Sequence, residues 1–171
     1  MKNPSSYNLP KNISSIGNTQ TSHHYWIGRF NNGINYYAGQ TFKTPRNGNL
    51  KSIRIFPEMI VGETDALLTL FEFDEQTHQW KEQKAECHVL LNNSSERKWV
   101  SFDMNNIALE TSKQYGFKIS CNHNGTMALA ECGWKHKNPY KDGEQWIGSS
   151  ENPSGNFHRN FDLTFIAEVE N

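Results

Sequence analysis

The sequence predicts an all-β fold, a sandwich or a barrel. Three observations lead there. Apolar and polar residues alternate in ten short runs. Turn chemistry separates the runs. No stretch of ten or more residues holds a 3.6-residue apolar period with caps. Short alternating runs at this spacing are the mark of a sandwich or barrel.

The runs are Tyr25–Phe30, Tyr36–Lys43, Leu50–Pro57, Ala66–Asp74, Trp80–Leu91, Trp99–Met104, Gln114–Asn122, Met127–Trp134, Gln145–Gly148 and Phe161–Val169. Between them stand Asn31-Asn32-Gly33, Pro45-Arg46-Asn47-Gly48, Gly62-Glu63-Thr64, Asn92-Asn93-Ser94-Ser95, Asn124-Gly125 and Pro153-Ser154-Gly155. One or two helical turns are the most that is expected, near Asn105–Glu110. In the last run Phe161, Leu163, Phe165, Ala167 and Val169 share one face, because a strand places alternate side chains on opposite sides. Residues 1–22 are rich in Asn, Ser and Thr and form an expected mobile arm or irregular lead-in strand. Residues 23–171 form the expected single sandwich domain, in line with roughly 100–200 residues per domain.

Asn124-Gly125 predicts a hairpin with a type I′ turn. Cys121 then faces Ala128, Phe117 faces Cys132, and Tyr115 faces Trp134. This register bears on the C-x-H…C-x3-H pattern of Cys121, His123, Cys132 and His136. It sets Cys121 and Cys132 four residues apart along the strands, roughly 13 Å at about 3.3 Å per residue. A disulfide needs Cα atoms within about 7 Å, and a shared zinc needs a similar approach. Cys87, Cys121 and Cys132 therefore read as free, buried thiols.

Net charge is −1, from seventeen Lys+Arg against eighteen Asp+Glu. That balance argues against a nucleic-acid binder. No run of 18 apolar residues suggests a membrane span, and no apolar segment at the start suggests a signal peptide. Asn12, Asn93 with Asn92, and Asn124 open Asn-x-Ser/Thr triplets, which matter only in a eukaryotic secretory context.

Glu72 and Asp74 share a strand face, as a retaining glycosidase would need of carboxyls about 5 Å apart. The run E-F-D-E at 72–75 resembles the E-x-D-x-(x)-E signature of laminarinase-like glycoside hydrolases. It departs where Glu75 follows Asp74 directly and points to the other face. A strand end entering a polar turn is the simpler reading. No nucleophile elbow, H-E-x-x-H or Walker loop occurs, so a non-catalytic protein is expected.

Sugar recognition uses flat aromatic faces beside planar polar groups. Two segments combine them, His23–Arg29 and Trp134–Trp146. Trp26, Trp80 and Tyr140 are the expected stacking faces. Arg29, Asp142 and Gln145 are the expected polar partners. Trp99, Trp134 and Trp146 are assigned to the structure. No cofactor is expected. A structural Ca²⁺ would draw on Asp142, Glu144 and Asp162, although no D-x-D-x-D-G loop supports it.

The order of several segments along the chain also carries a resemblance. G-Q-T-F at 39–42 is followed by N-L-K-S-I-R-I at 49–55, A-L-L-T-L-F-E at 66–72 and W-V-S-F at 99–102. Q-Y-G-F-K-I at 114–119, N-P-Y-K-D-G at 138–143 and F-D-L-T-F at 161–165 come next. Over about 36–169 the chain resembles the carbohydrate-binding-module-like jelly-roll domains of secreted bacterial proteins. The resemblance implies a two-sheet antiparallel β-sandwich of the jelly-roll type. It also implies carbohydrate or another surface ligand as partner, an extracellular or cell-surface place, and attachment to a larger multidomain protein. The alternatives are a structural or adhesion domain that docks to proteins, and a small hydrolase or lyase using Glu72 and Asp74.

Overall fold

A computed structural model describes residues 12–122, 124–136 and 138–171. Its strands are β1 (Ile13–Asn18), β2 (His23–Arg29), β3 (Asn35–Lys43), β4 (Gly48–Ile55), β5 (Pro57–Val61), β6 (Thr64–Asp74) and β7 (Gln79–Leu91). There follow β8 (Val100–Leu109), β9 (Gln114–Asn122), β10 (Thr126–Gly133), β11 (Gln145–Ser149), β12 (Asn156–His158), β13 (Phe161–Leu163) and β14 (Phe165–Glu170). Short 3-10 turns cover Asn93–Ser95 and Trp134–His136. Among the described residues no helix is long and apolar enough to cross a membrane.

The strands form two antiparallel sheets. The smaller runs β1-β14-β4-β8. The larger follows β13-β10-β2-β3-β9-β6-β7, with β5 on β10, β11 on β3 and β12 on β11. Alternation along each strand supplies the core between them. Ala38 and Phe42, Leu68 and Leu70, and Phe117 and Ile119 are buried on the larger sheet. Leu50 and Ile53, Phe102 and Met104, and Phe165 and Ala167 are buried on the smaller. Phe165 joins the layers, with ring centroids 5.7 Å from Phe117 and 6.3 Å from Phe42. Burying such a ring stabilises the fold by about 2–3 kcal/mol.

Two segments turn from one sheet into the other, as strands at sandwich corners do. β4 pairs in the smaller sheet, and after Phe56 the chain re-enters as β5 on β10. β13 pairs with β10, and after Thr164 the chain becomes β14 of the smaller sheet. The single run expected over Phe161–Val169 is thus two strands. The corner explains why Asp162, which alternates with the apolar residues of that run, is fully buried.

The Asn124-Gly125 hairpin does not form. β9 gives its edges to β3 and β6. β10 gives its edges to β2, β5 and β13. Nearly every residue of β10 is buried, so it sits in the middle of its sheet with no edge left for β9. Gly125 lacks the positive φ of a type I′ turn. A Cβ there would lie 2.5 Å from Thr64 and 2.8 Å from the Glu63 carbonyl, so close approach to the β5–β6 turn requires the glycine. His123 lies outside the described residues.

Other expectations shift as well. Residues 1–11 lie outside the described residues, and β1 pairs along the whole of β14. Asn105–Glu110 is no helical turn. β8 continues there through a register shift, with Asn105 and Asn106 at positive φ. All three thiols are free, with Cys121 and Cys132 buried but Cys87 only half-buried on β7.

Candidate functional site

A cleft of about 360 Å³ opens where the 138–144 loop crosses the end of the larger sheet. The β6–β7 turn forms its second wall and Arg159 its third. Asp74 shapes that turn, its Oδ1 accepting from the backbone N–H of Gln76 and Thr77. His78 then takes a positive φ of 51° and brings its ring toward the loop.

Three anchors hold the loop. Tyr140 donates its backbone N–H to Asp162 Oδ2 at 2.9 Å. Its phenol accepts from the Lys43 backbone N–H at 3.3 Å, and its ring stands edge-on to Phe165 at 5.4 Å. At Gly143 the chain crosses β3 so closely that a Cβ would lie 1.8 Å from the Thr41 carbonyl oxygen. Glu144 donates its N–H to Thr41 Oγ1 at 2.8 Å, while Thr41 N–H donates to the Glu144 carbonyl at 2.9 Å.

The loop thereby delivers the Glu144 carboxylate to the cleft. His78 Nε2 lies 2.9 Å from Glu144 Oε2, and Arg159 Nε donates to Oε1 at 2.7 Å. Glu75, Gln114, Asn138, Lys141, Asp142, Gly143 and the edge of Phe73 complete the lining. Gln114 Oε1 and Asn138 Oδ1 are buried without a hydrogen-bond partner among the described residues. Buried acceptors are rarely left unpaired, because desolvation costs about 1–3 kcal/mol each.

Behind the cleft stands an aromatic wall. Phe73 lies 5.1 Å from Trp80 and 5.3 Å from Phe157. Trp80 stacks on Phe157 at 6.0 Å and meets Trp146 edge-on at 5.8 Å.

Of the residues expected to bind, Asp142 lines the cleft and is exposed. Tyr140, expected as a stacking face, is buried as the loop's anchor. Burial pushes its phenol further up, so it stays protonated. Gln145 is buried too and donates Nε2 to the Glu131 carboxylate. Trp80, on the edge strand β7, is half-buried in the wall. Trp26 is half-buried on β2, edge-on to His24 and Phe30. Arg29 is exposed at the end of β2, and neither residue lines the cleft. Trp146 is buried as expected. Trp134, expected in the core against Tyr115, is 70% exposed, since β10 ends at Gly133 and the chain turns out at positive φ.

Glu72 and Asp74 are both held in the charged form by their neighbours. Hydrogen bonding to Lys113 holds the Glu72 carboxyl below its ordinary value. Hydrogen bonds from Thr77 do the same for Asp74. A general acid needs the opposite shift. Asp142, Glu144 and Asp162 do not converge either. The described residues contain no group of three or more His, Cys, Asp or Glu placed to share a metal. Asp162 instead accepts from Gln40 Nε2 at 2.7 Å and from Tyr140, and burial pushes its carboxyl up to about 6.

No family model and no curated protein matches the chain. Among solved structures, the chain is similar to the cysteine protease and lectin-like domains of Cwp84, a surface layer associated protein of Clostridium difficile. Identity is 8% and the TM-score 0.49, over 80% of this chain and 32% of that one. It is also similar to the Yersinia pseudotuberculosis-derived mitogen, at 10% identity and TM-score 0.30, over 70% of this chain and 85% of that one. The infectious bursal disease virus Gx strain structure shares 9% identity at TM-score 0.33, over 95% of this chain and 43% of that one. Likeness at these levels carries no argument about function, and what those proteins do stays with them. The sheet pairing itself is what establishes the sandwich.

Proposed function

We propose that the protein is a non-catalytic binding module for carbohydrate, with the loop-end cleft as its site. The observation that carries this reading is the pair of unpartnered amide oxygens, Gln114 Oε1 and Asn138 Oδ1, on residues that line the cleft. They want donors, and sugar hydroxyls are donors that also accept. Arg159 and His78, positioned by Glu144, supply the complementary donors. The edges of Phe73 and His78 offer apolar contact for sugar C–H groups.

Affinity electrophoresis against a panel of soluble polysaccharides tests this. The wild type is retarded by at least one. Gln114→Ala with Asn138→Ala weakens retardation at least tenfold, yet removes no internal hydrogen bond made by those oxygens. Absence of retardation by every polysaccharide overturns the reading. A structural or adhesion domain is the second reading, favoured by the exposed Trp134 and Leu90. Concentration-dependent dimerisation in light scattering, lost in Trp134→Ala, would support it instead.

A further inference from the structure

A second site lies on the outer face of the larger sheet, beyond the aromatic wall. Pairing places Trp146 of β11, Gly39 of β3, Lys118 of β9 and Thr69 of β6 in one row across four strands. Two glycines let indoles lie on this face. A Cβ at Gly39 would stand 3.3 Å from the Trp146 ring, and a Cβ at Gly116 2.7 Å from the Trp80 ring. The two rings converge on Lys118, whose Nζ is 4.5 Å from the Trp146 centroid and 4.9 Å from that of Trp80. Phe71 closes the third side at 5.4 Å.

Ring faces attract an ammonium but do not replace its three hydrogen-bond acceptors. Among the described residues Lys118 has no carboxylate within ion-pair distance and no acceptor for Nζ. Glu86 of β7 pairs with Thr69 of β6, which puts it two strands from Lys118. That is roughly 10 Å at the usual strand spacing. Burial without a counter-charge lowers the Lys118 ammonium from its ordinary value. Lys118 lines a groove of about 270 Å³ whose other walls include Tyr37, Leu67, Phe71, Trp146 and Pro153. Thr69 and Ser120 also line it, one cross-strand from Lys118 and one two residues along β9. Neither hydroxyl has a side-chain partner among the described residues.

We propose that this groove binds a small organic carboxylate with a flat apolar body. The carboxylate meets the Lys118 ammonium and the hydroxyls of Thr69 and Ser120, and the apolar body lies along Tyr37, Leu67 and Pro153. An ion here supplies the charge that Lys118 lacks, in a setting where water screens it less than at an open surface. The site is separate from the polar cleft and does not depend on carbohydrate binding there.

Phenylacetate and phenylacetamide are the probes, titrated calorimetrically into the intact protein. They share a ring and differ in charge. Phenylacetate binds saturably and at least tenfold more tightly than the amide. Lys118→Met lowers phenylacetate affinity at least tenfold and leaves the amide unchanged. The acid–amide ratio in wild type and in Thr69→Val decides the matter should Lys118→Met fail to fold. Gln114→Ala with Asn138→Ala keeps full phenylacetate binding. Equal affinity for acid and amide, no saturation by either, or loss of binding in the cleft variant rather than at Lys118 overturns the proposal.

Discussion

The polar cleft and the lysine groove share one aromatic wall yet are built in opposite ways. The cleft is made by loops, and its Glu144 is already paired with both His78 and Arg159. Two neutral amide oxygens are left there without a donor among the described residues. The groove is made by strands, and it leaves a cation unpaired between ring faces. Loops can bend until opposite charges meet. A residue in the middle of a sheet takes the neighbours that register imposes, and for Lys118 those are Gly39 and Thr69.

The comparison breaks most sharply at the shared wall. Trp146→Ala removes a fully buried indole, and the expected loss is about 4 kcal/mol by chemical denaturation. Both sites lose binding together. Gly143→Ala acts on the cleft alone. The Thr41 carbonyl has no room for a methyl group, so a cost of about 3 kcal/mol is expected. Thermal unfolding reads it, and phenylacetate binding persists in the folded fraction.

Asp162 ties the cleft loop to β3 through Gln40 and Tyr140. Its carboxyl sits at about 6 in the folded protein, against about 3.9 unfolded. Between these values the folded state holds the extra proton, so this group's contribution is full below about pH 4 and is lost as pH rises through about 6. Asp162→Asn is expected to flatten that part of the stability–pH curve. It also costs about 2 kcal/mol, because an amide NH₂ replaces one of two acceptors. Denaturant midpoints from pH 4 to 7 for both proteins check it. The smallest effect is at Arg159, 78% exposed. Arg159→Ala changes stability by less than about 0.5 kcal/mol, yet weakens polysaccharide retardation at least fivefold and leaves phenylacetate untouched.

Much of the strand content was legible because alternation reports which face of a strand is buried. It does not report which edge meets which. Asn124-Gly125 reads as a hairpin locally, but β10 is buried on both faces and takes its partners from three distant segments. The same limit hid the sites. Trp134–Trp146 stood out by composition, and five of its residues do line the cleft. The roles within it were exchanged: Tyr140 and Gln145 went inward, and Trp134 turned out beyond the end of β10. Gln114, His78 and Arg159 lie far apart in the chain and had no local signal. Lys118 carries no local signal either, since its ring-lined setting is made by Gly39 and Gly116 on two different strands.

The central place of β10 also sets an order of opening. Its backbone is engaged by β2, β5 and β13, whereas among the described residues β1 and β7 each pair along one edge only. Amide exchange should therefore be slowest along Met127–Cys132 and fastest at the sheet margins. Gly133 leads directly from that slowest segment into the loop that forms the cleft. The cleft loop is thus carried by the part of the sheet that opens last, so the site keeps its footing while the sheet margins fray.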